Sequence, residues 1–311
     1  MDVILHLGAH RTASTSFQYY MRKNAEGLRS RGIGYWGPRE LRNGLLTGVV
    51  PVPGRMPAKK QLARVQGRVS LKMKEAQRSG LRFLIISDEN LIGVPRNNLR
   101  DMRLYPGVGE RMARYHQVFG GFVSRAVLSI RAQESYWNSV LAYCSVRNGH
   151  VPSLSELDHI ANNPRGWRDV VTDLACATPD VAISVMPHDV FSGRPECRLA
   201  LMTGQSDLPT KSAREWLNRA PDASELRETL TKRGVDAAKV VSSGGCWSAF
   251  DDAQSMAMHQ AYSDDIYWLR AGANGLATLT EEFGPTGAGL TPSVGAPTRG
   301  QGHGNEERRM A

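Results

Sequence analysis

Five short runs rich in apolar and β-branched residues recur along the chain. They are "VILHL" at 3–7, "GIGYWGP" at 32–38, "LRFLIIS" at 81–87, "FVSRAVLSI" at 122–130 and "VAISVMPHDVF" at 181–191. Each is short enough to be a buried strand, and several end in a glycine or in polar residues. Between them lie segments with helical spacing. Phe17, Tyr20, Met21 and Leu28 recur near one face, as do Leu62, Val65, Val69, Met73 and Ala76 over about 59–79. Met258, Tyr262, Ile266 and Leu269 do so over 251–271, and a further helix begins near Gln133. Strands alternating with helices predict an α/β three-layer sandwich around a central parallel sheet. Residues 1–283 then form one domain. The 28 residues from Gly284 hold seven Gly and three Pro with almost no large apolar side chains, so they read as a disordered tail. Residues 37–58, rich in Pro and Gly, read as a loop.

In an open parallel sheet, ligands gather beyond the carboxyl ends of the strands. Three motifs fall at such ends. After the first strand, "GAHRTASTS" leads into a helix. Backbone N–H groups opening that helix would face an anion, aided by the fixed charge of Arg11 and the hydroxyls of Thr12, Ser14 and Thr15. The plain alternative is a strand-to-helix turn capped by Ser14 or Thr15. The usual nucleotide-triphosphate signature, G-x-x-x-x-G-K-[ST], is missing from this loop. The second motif is Arg131 with Ser139 eight residues on, about two helical turns into the next element, where a guanidinium and a hydroxyl can converge on one phosphate. The third is Ser87-Asp88-Glu89 at the end of the strongest apolar run. Either acid suits a general base, and either suits a cap on the following turn. His6 lies inside an apolar strand and reads as core, whereas His10 belongs to the first loop and lines whatever that loop holds.

Taken together, these pieces resemble the sulfotransferases that use 3′-phosphoadenosine-5′-phosphosulfate. "AHRTASTS" is similar to the family's 5′-phosphosulfate loop, P-K-S-G-T-T or, in bacterial members, H-K-T-G-T-T. The resemblance gives the loop's binding role to Arg11, Thr12, Ala13, Ser14, Thr15 and Ser16. "VLSIRAQESYWNS" resembles the 3′-phosphate motif V-x-R-N-P-x-D-x-x-x-S, which assigns that phosphate to Arg131 and Ser139. "TKRG" at 231–234 resembles a late phosphate contact and adds Lys232 and Arg233. "SVMPHDVF" is similar to the family's structural strand ending in Y-E-D. The family places its catalytic base at the strand end occupied here by Glu89, with Asp88 beside it and His10 next in line. The chain departs from the family at Ala13, which replaces a glycine, and at Ser16, which replaces an aromatic residue. "RAQES" also lacks the Asn-Pro turn, and Arg11 replaces lysine with a broader, forked donor.

The resemblance implies a P-loop-like phosphosulfate-binding fold and transfer of a sulfuryl group to a hydroxyl or amine. The acceptor is then a small molecule, a carbohydrate or a lipid, and no metal is needed. The net charge of +9, from 39 Lys and Arg against 30 Asp and Glu, suits an anionic ligand. Eight of those cations fall between Arg55 and Arg78. Nucleic acid is disfavoured, because the chain has no RNP-type aromatics, zinc spacing or helix-turn-helix pattern. A P-loop kinase and a non-catalytic nucleotide binder are the competing readings. Four cysteines without C-x-x-C spacing read as reduced thiols. No apolar run nears the roughly 20 residues needed to cross a bilayer, and no secretory signal pattern opens the chain. Both features point to the cytoplasm.

Overall fold

The computed structural model describes residues 1–281 apart from 52, 55, 150, 235–241 and 244–245. The tail expected from Gly284 lies outside the described residues. Five strands, β1 (Asp2–Gly8), β2 (Ile33–Trp36), β3 (Phe83–Ser87), β4 (Val123–Ile130) and β5 (Ala182–Pro187), form one parallel sheet with a short Thr278–Leu279 strand. The strand order is β2-β3-β1-β4-β5 followed by Thr278–Leu279.

The apolar runs bury both of their faces, as a central parallel strand must. In β1, Val3, Leu5 and Leu7 join one core while Ile4 joins the other. In β3, Leu84 and Ile86 part from Ile85 in the same way, and in β4 Ala126, Leu128 and Ile130 part from Val127. This two-residue alternation creates two cores, each covered by helices, and so an α/β three-layer fold. On the first face lie α2 (Ala58–Arg78), α3 (Val108–Phe119), α4 (Gln133–Asn148) and α5 (Trp167–Ala177), which contribute Val65, Val69, Met73, Met112, Val140 and Trp167. On the second lie α1 (Ser14–Lys23), contributing Phe17, Tyr20 and Met21, and α6 (Pro195–Thr203), contributing Leu199 and Met202. The long α7 (Asp252–Arg270) returns to the first face through Met258 and Leu269.

Three local readings change. The strand in "VAISVMPHDVF" stops at Pro187 rather than running to 191. His188–Phe191 forms a helical turn directly after the proline, whose own N–H is absent from any ladder. Residues 37–58 are not loop throughout: Pro38–Glu40 is helical, Leu41–Leu45 is a wider turn, and α2 starts at Ala58. Ser14 does not cap α1. The N-cap is Ala13, in a left-handed conformation and without a side-chain bond, and Ser14 is already helical.

The chain leaves β1 toward β2 on one side of the sheet and leaves β4 toward β5 on the other. A crevice therefore opens between the carboxyl ends of β1 and β4, where a doubly wound sheet presents ligands.

Candidate functional site

Two of the three motifs meet at that crevice. The loop after β1 turns sharply: Arg11 (φ 67°) and Ala13 (φ 60°) both lie in the left-handed region. Non-glycine residues pay for such angles, and they concentrate where a loop is shaped for a ligand. A Cβ at Gly8 would overlap the Ser14 hydroxyl and displace it, so glycine leaves that hydroxyl its place. Across the crevice, Arg11 Nε donates to Ser139 Oγ at 2.8 Å, and Arg131 Nη1 donates to the Arg11 carbonyl at 3.1 Å. Arg11, Arg131 and Ser139, drawn from β1 and β4 ends far apart in sequence, thus occupy one place.

The cluster is cationic and unbalanced. The Arg11 guanidinium lies 5.2 Å from the Tyr143 ring centre, and Arg147 lies 4.4 Å from the same ring. Burial, reinforced by the neighbouring Arg131, pulls Arg11 down to about 10. Burial also lowers Arg131, on which Asp189 and then Glu134 act in the opposite sense. No carboxylate among the described residues forms an ion pair with either arginine. Two buried donors at the crevice, the Ser14 hydroxyl and Arg131 Nε, have no hydrogen-bond partner. Buried polar groups are ordinarily paired, so these two donors are open to an acceptor from a water or a ligand.

The remaining loop hydroxyls are occupied. Thr12 donates to the Ala9 carbonyl at 2.6 Å, which braces the turn. The Ser16 hydroxyl accepts the Leu217 N–H at 2.9 Å, and Thr15 Oγ1 accepts from Asn218 at 3.2 Å. A segment distant in sequence therefore seals the outer side of the loop, and Ser14 is the free hydroxyl among the four. Lys232 pairs with Glu228 on the surface, while Arg233 reaches back to the Arg147 carbonyl at 2.8 Å.

At the end of β3, the acids are fully engaged. Asp88 is buried, caps the turn after it through the Asn90 N–H at 2.8 Å, and takes a forked bond from Arg42. Glu89 accepts from Gln18 Nε2 at 2.7 Å on one oxygen and from Arg42 Nη2 at 2.9 Å on the other. Burial is the largest influence on Glu89 and raises it. Bonds from its own backbone amide and Gln18, with the charge of Arg42, outweigh burial, so the carboxyl is held below its ordinary value. His10 faces the same cluster: its Nε2 meets Asn90 Oδ1 at 3.0 Å and its Nδ1 meets the Tyr105 hydroxyl at 2.9 Å. Burial keeps it neutral to lower pH than a free histidine.

A buried chain joins the two clusters. Gln18 also reaches the Ser87 hydroxyl at 3.3 Å, Ser87 bonds His6 Nδ1 at 2.8 Å, and His6 Nε2 faces Arg198 Nη1 at 3.4 Å. An arginine has no acceptor, so His6 Nε2 must carry the lone pair and Nδ1 the proton. Sequence reasoning missed Gln18, Arg42 and Arg198. Gln18 had a readable signal, a polar residue on an otherwise apolar helix face, whereas Arg198 reads as a surface charge until its helix is packed. Arg42 had none, because its loop has no period.

Among the described residues, no group of three His, Cys, Asp or Glu stands close enough to hold a metal ion. No helix of the described residues is long and apolar enough to cross a membrane. Compared with known proteins, the chain matches no protein-family model, no curated protein and no solved structure.

Proposed function

We propose that this protein is a sulfotransferase that takes its sulfuryl group from 3′-phosphoadenosine-5′-phosphosulfate in the cytoplasm. One observation carries the reading: Arg11, Arg131 and Ser139 converge on the crevice between β1 and β4, with orphaned donors on Ser14 and Arg131 and, among the described residues, no carboxylate in an ion pair with either arginine. A ligand with two separate phosphate-type groups suits that arrangement. The loop Ala9–Ser14 and Arg11 would hold the 5′ end, and Arg131 with Ser139 the 3′-phosphate.

The nucleotide supplies an activated sulfuryl group and a stable leaving phosphate. The chain's part is alignment and charge neutralisation. Arg11 and the first amides of α1 stabilise negative charge that grows on the leaving oxygen. Glu89, ionised at neutral pH, accepts the proton of an acceptor hydroxyl as that oxygen bonds to sulfur. Gln18 and Arg42 fix which way the carboxylate points. The acceptor is a hydroxyl or amine on a small molecule, carbohydrate or lipid.

Thermal shift with 3′-phosphoadenosine-5′-phosphate against ATP and magnesium tests the donor, since a ligand of the native state raises Tm. The first should stabilise and the second far less. Equal stabilisation by both, or by neither, rejects the assignment. Arg131→Ala should weaken the first ligand by about 1.5–3 kcal/mol, the scale of a charge-assisted hydrogen bond. A ligand lacking the 3′-phosphate should lose much less.

A further inference from the structure

Among the described residues, Arg198 is the charged side chain most thoroughly withdrawn from solvent, 1% exposed on α6 among Leu199 and Met202. Buried arginines are ordinarily paired with carboxylates. This one is not. Its contacts are His6 Nε2 and the Thr12 carbonyl, each at 3.4 Å, and the Phe17 ring at 5.6 Å. Its Nε has no partner among the described residues. Burial alone acts on it, pulling it down to about 10. His188, next to β5, is likewise buried and is held neutral first by burial and then by Arg131 and Arg198.

A guanidinium with five donors and two long bonds is poorly served by its own fold. It lies directly behind the loop, against the carbonyl of Thr12, while the orphaned Ser14 hydroxyl and Arg11 belong to that same loop. We propose that Arg198 is a positioning residue for the anion site, a buried charge behind the Ala9–Ser14 loop that is compensated when a phosphate-type dianion binds on the loop. The proposal rests on the reading that this loop holds such an anion. Arg198 does not touch the ligand. It acts through the Thr12 carbonyl, which it holds in place, and through its field, which reaches across a low-dielectric interior. The empty protein therefore carries an electrostatic cost that ligand binding relieves. Removing an unpaired buried charge should not destabilise the empty protein, whereas removing one partner of a buried pair does.

Arg198→Met, Arg198→Gln and Arg198→Lys test this, with pyrophosphate and 3′-phosphoadenosine-5′-phosphate as probes, by calorimetry and thermal unfolding. Arg198→Met should unfold at the wild-type temperature or above. It should bind both probes roughly tenfold to a hundredfold more weakly, as for a unit charge acting across several ångströms of protein. Arg198→Lys should recover most of that affinity, which a packing role would not allow. If Arg198→Met does not fold, Arg198→Gln carries the comparison. Failure of both to fold overturns the proposal, because the charge would then be a structural requirement. Unchanged affinity in folded neutral variants overturns it while leaving the donor reading intact, as does a lysine variant no better than methionine. If the wild type binds neither probe, the donor reading and the proposal fall together.

Discussion

The carboxyl ends of β1 and β3 are neighbours in the sheet, yet their charges are handled in opposite ways. At β3, two acids meet one arginine, and Asp88, Glu89 and Arg42 share a forked network in which both carboxylates have partners. At β1, Arg11, Arg131 and Arg198 gather with no paired carboxylate, and Ser14 Oγ, Arg131 Nε and Arg198 Nε are left without partners. A closed network is finished without a ligand, so its members are set in place before any ligand arrives. An open cationic cluster is completed only from outside. In the proposed reaction, the open cluster is where the donor binds and the closed one is where an acceptor loses its proton. The two are wired together through Gln18, Ser87 and His6.

The largest expected effect separates binding from chemistry. Glu89→Gln keeps the shape of the side chain and removes the basic carboxylate. Sulfuryl transfer should fall by roughly 10²–10⁴-fold, the scale for a positioned base, while donor-nucleotide affinity stays nearly unchanged. A panel of sugar, lipid and phenolic acceptors provides the assay. Full turnover in Glu89→Gln with loss in Asp88→Asn moves the base by one residue. If neither change matters, His10 is the next candidate, or the protein binds the nucleotide without catalysis.

Next in size is the stability contrast. Arg42→Ala leaves Asp88 buried with the Asn90 amide as its remaining partner, and should cost about 1–3 kcal/mol in denaturant unfolding. Arg11→Ala removes a cation that no acid pairs, so it should cost clearly less stability while abolishing most nucleotide binding. Equal stability losses would erase the distinction between the closed and open clusters.

Acid pH probes the buried histidines of both clusters. His6 and His188 both face Arg198, and burial first, then the arginine charges, hold them well below the ordinary histidine value of 6.5. The unfolded chain binds their protons and the folded chain resists them. Stability is therefore complete above pH 6.5 and declines below it, by about 1.4 kcal/mol per pH unit for each histidine. Glu89, held below 4.5, gives up its contribution only as pH falls further. Unfolding between pH 7.5 and 5.5 should show the slope of His6 and His188 together with that of His10, which burial also lowers. A flat profile there would mean that these rings are protonated in the folded state.

Much of this was legible in the chain. The short apolar, β-branched runs foretold the sheet, and the eight-residue spacing of Arg131 and Ser139 foretold half of the crevice. Other parts depend on long-range contacts. Arg42 reaches Asp88 only because the turn after β2 folds across the end of β3, which no local pattern records. Arg198 sits among apolar positions of α6, where a charge reads as a surface residue until the helix is seen packed against α1. The cap of α1 was misread because Ser14 carries a suitable hydroxyl. The chain enters the helix in a left-handed conformation, which places the cap at Ala13 and turns Ser14 over Gly8 instead.

That left-handed entry yields the smallest and most local test. A non-glycine residue at φ 60° costs roughly 1–2 kcal/mol against glycine. Glycine in turn frees the unfolded chain by about 0.4–1 kcal/mol. Ala13→Gly should therefore stabilise the empty protein by about 0.5–1 kcal/mol. Ala13 has no polar side-chain group to offer an anion, and the loop's bracing bonds from Thr12 and Arg131 are untouched, so nucleotide affinity should change by less than about threefold. Thermal unfolding with and without 3′-phosphoadenosine-5′-phosphate separates the two quantities. A loss of stability would show that Ala13 is not strained. A gain in stability with a large loss of affinity would show instead that the methyl group holds the loop in its binding shape, and that stiffness at this position is part of how the open cluster recognises its ligand.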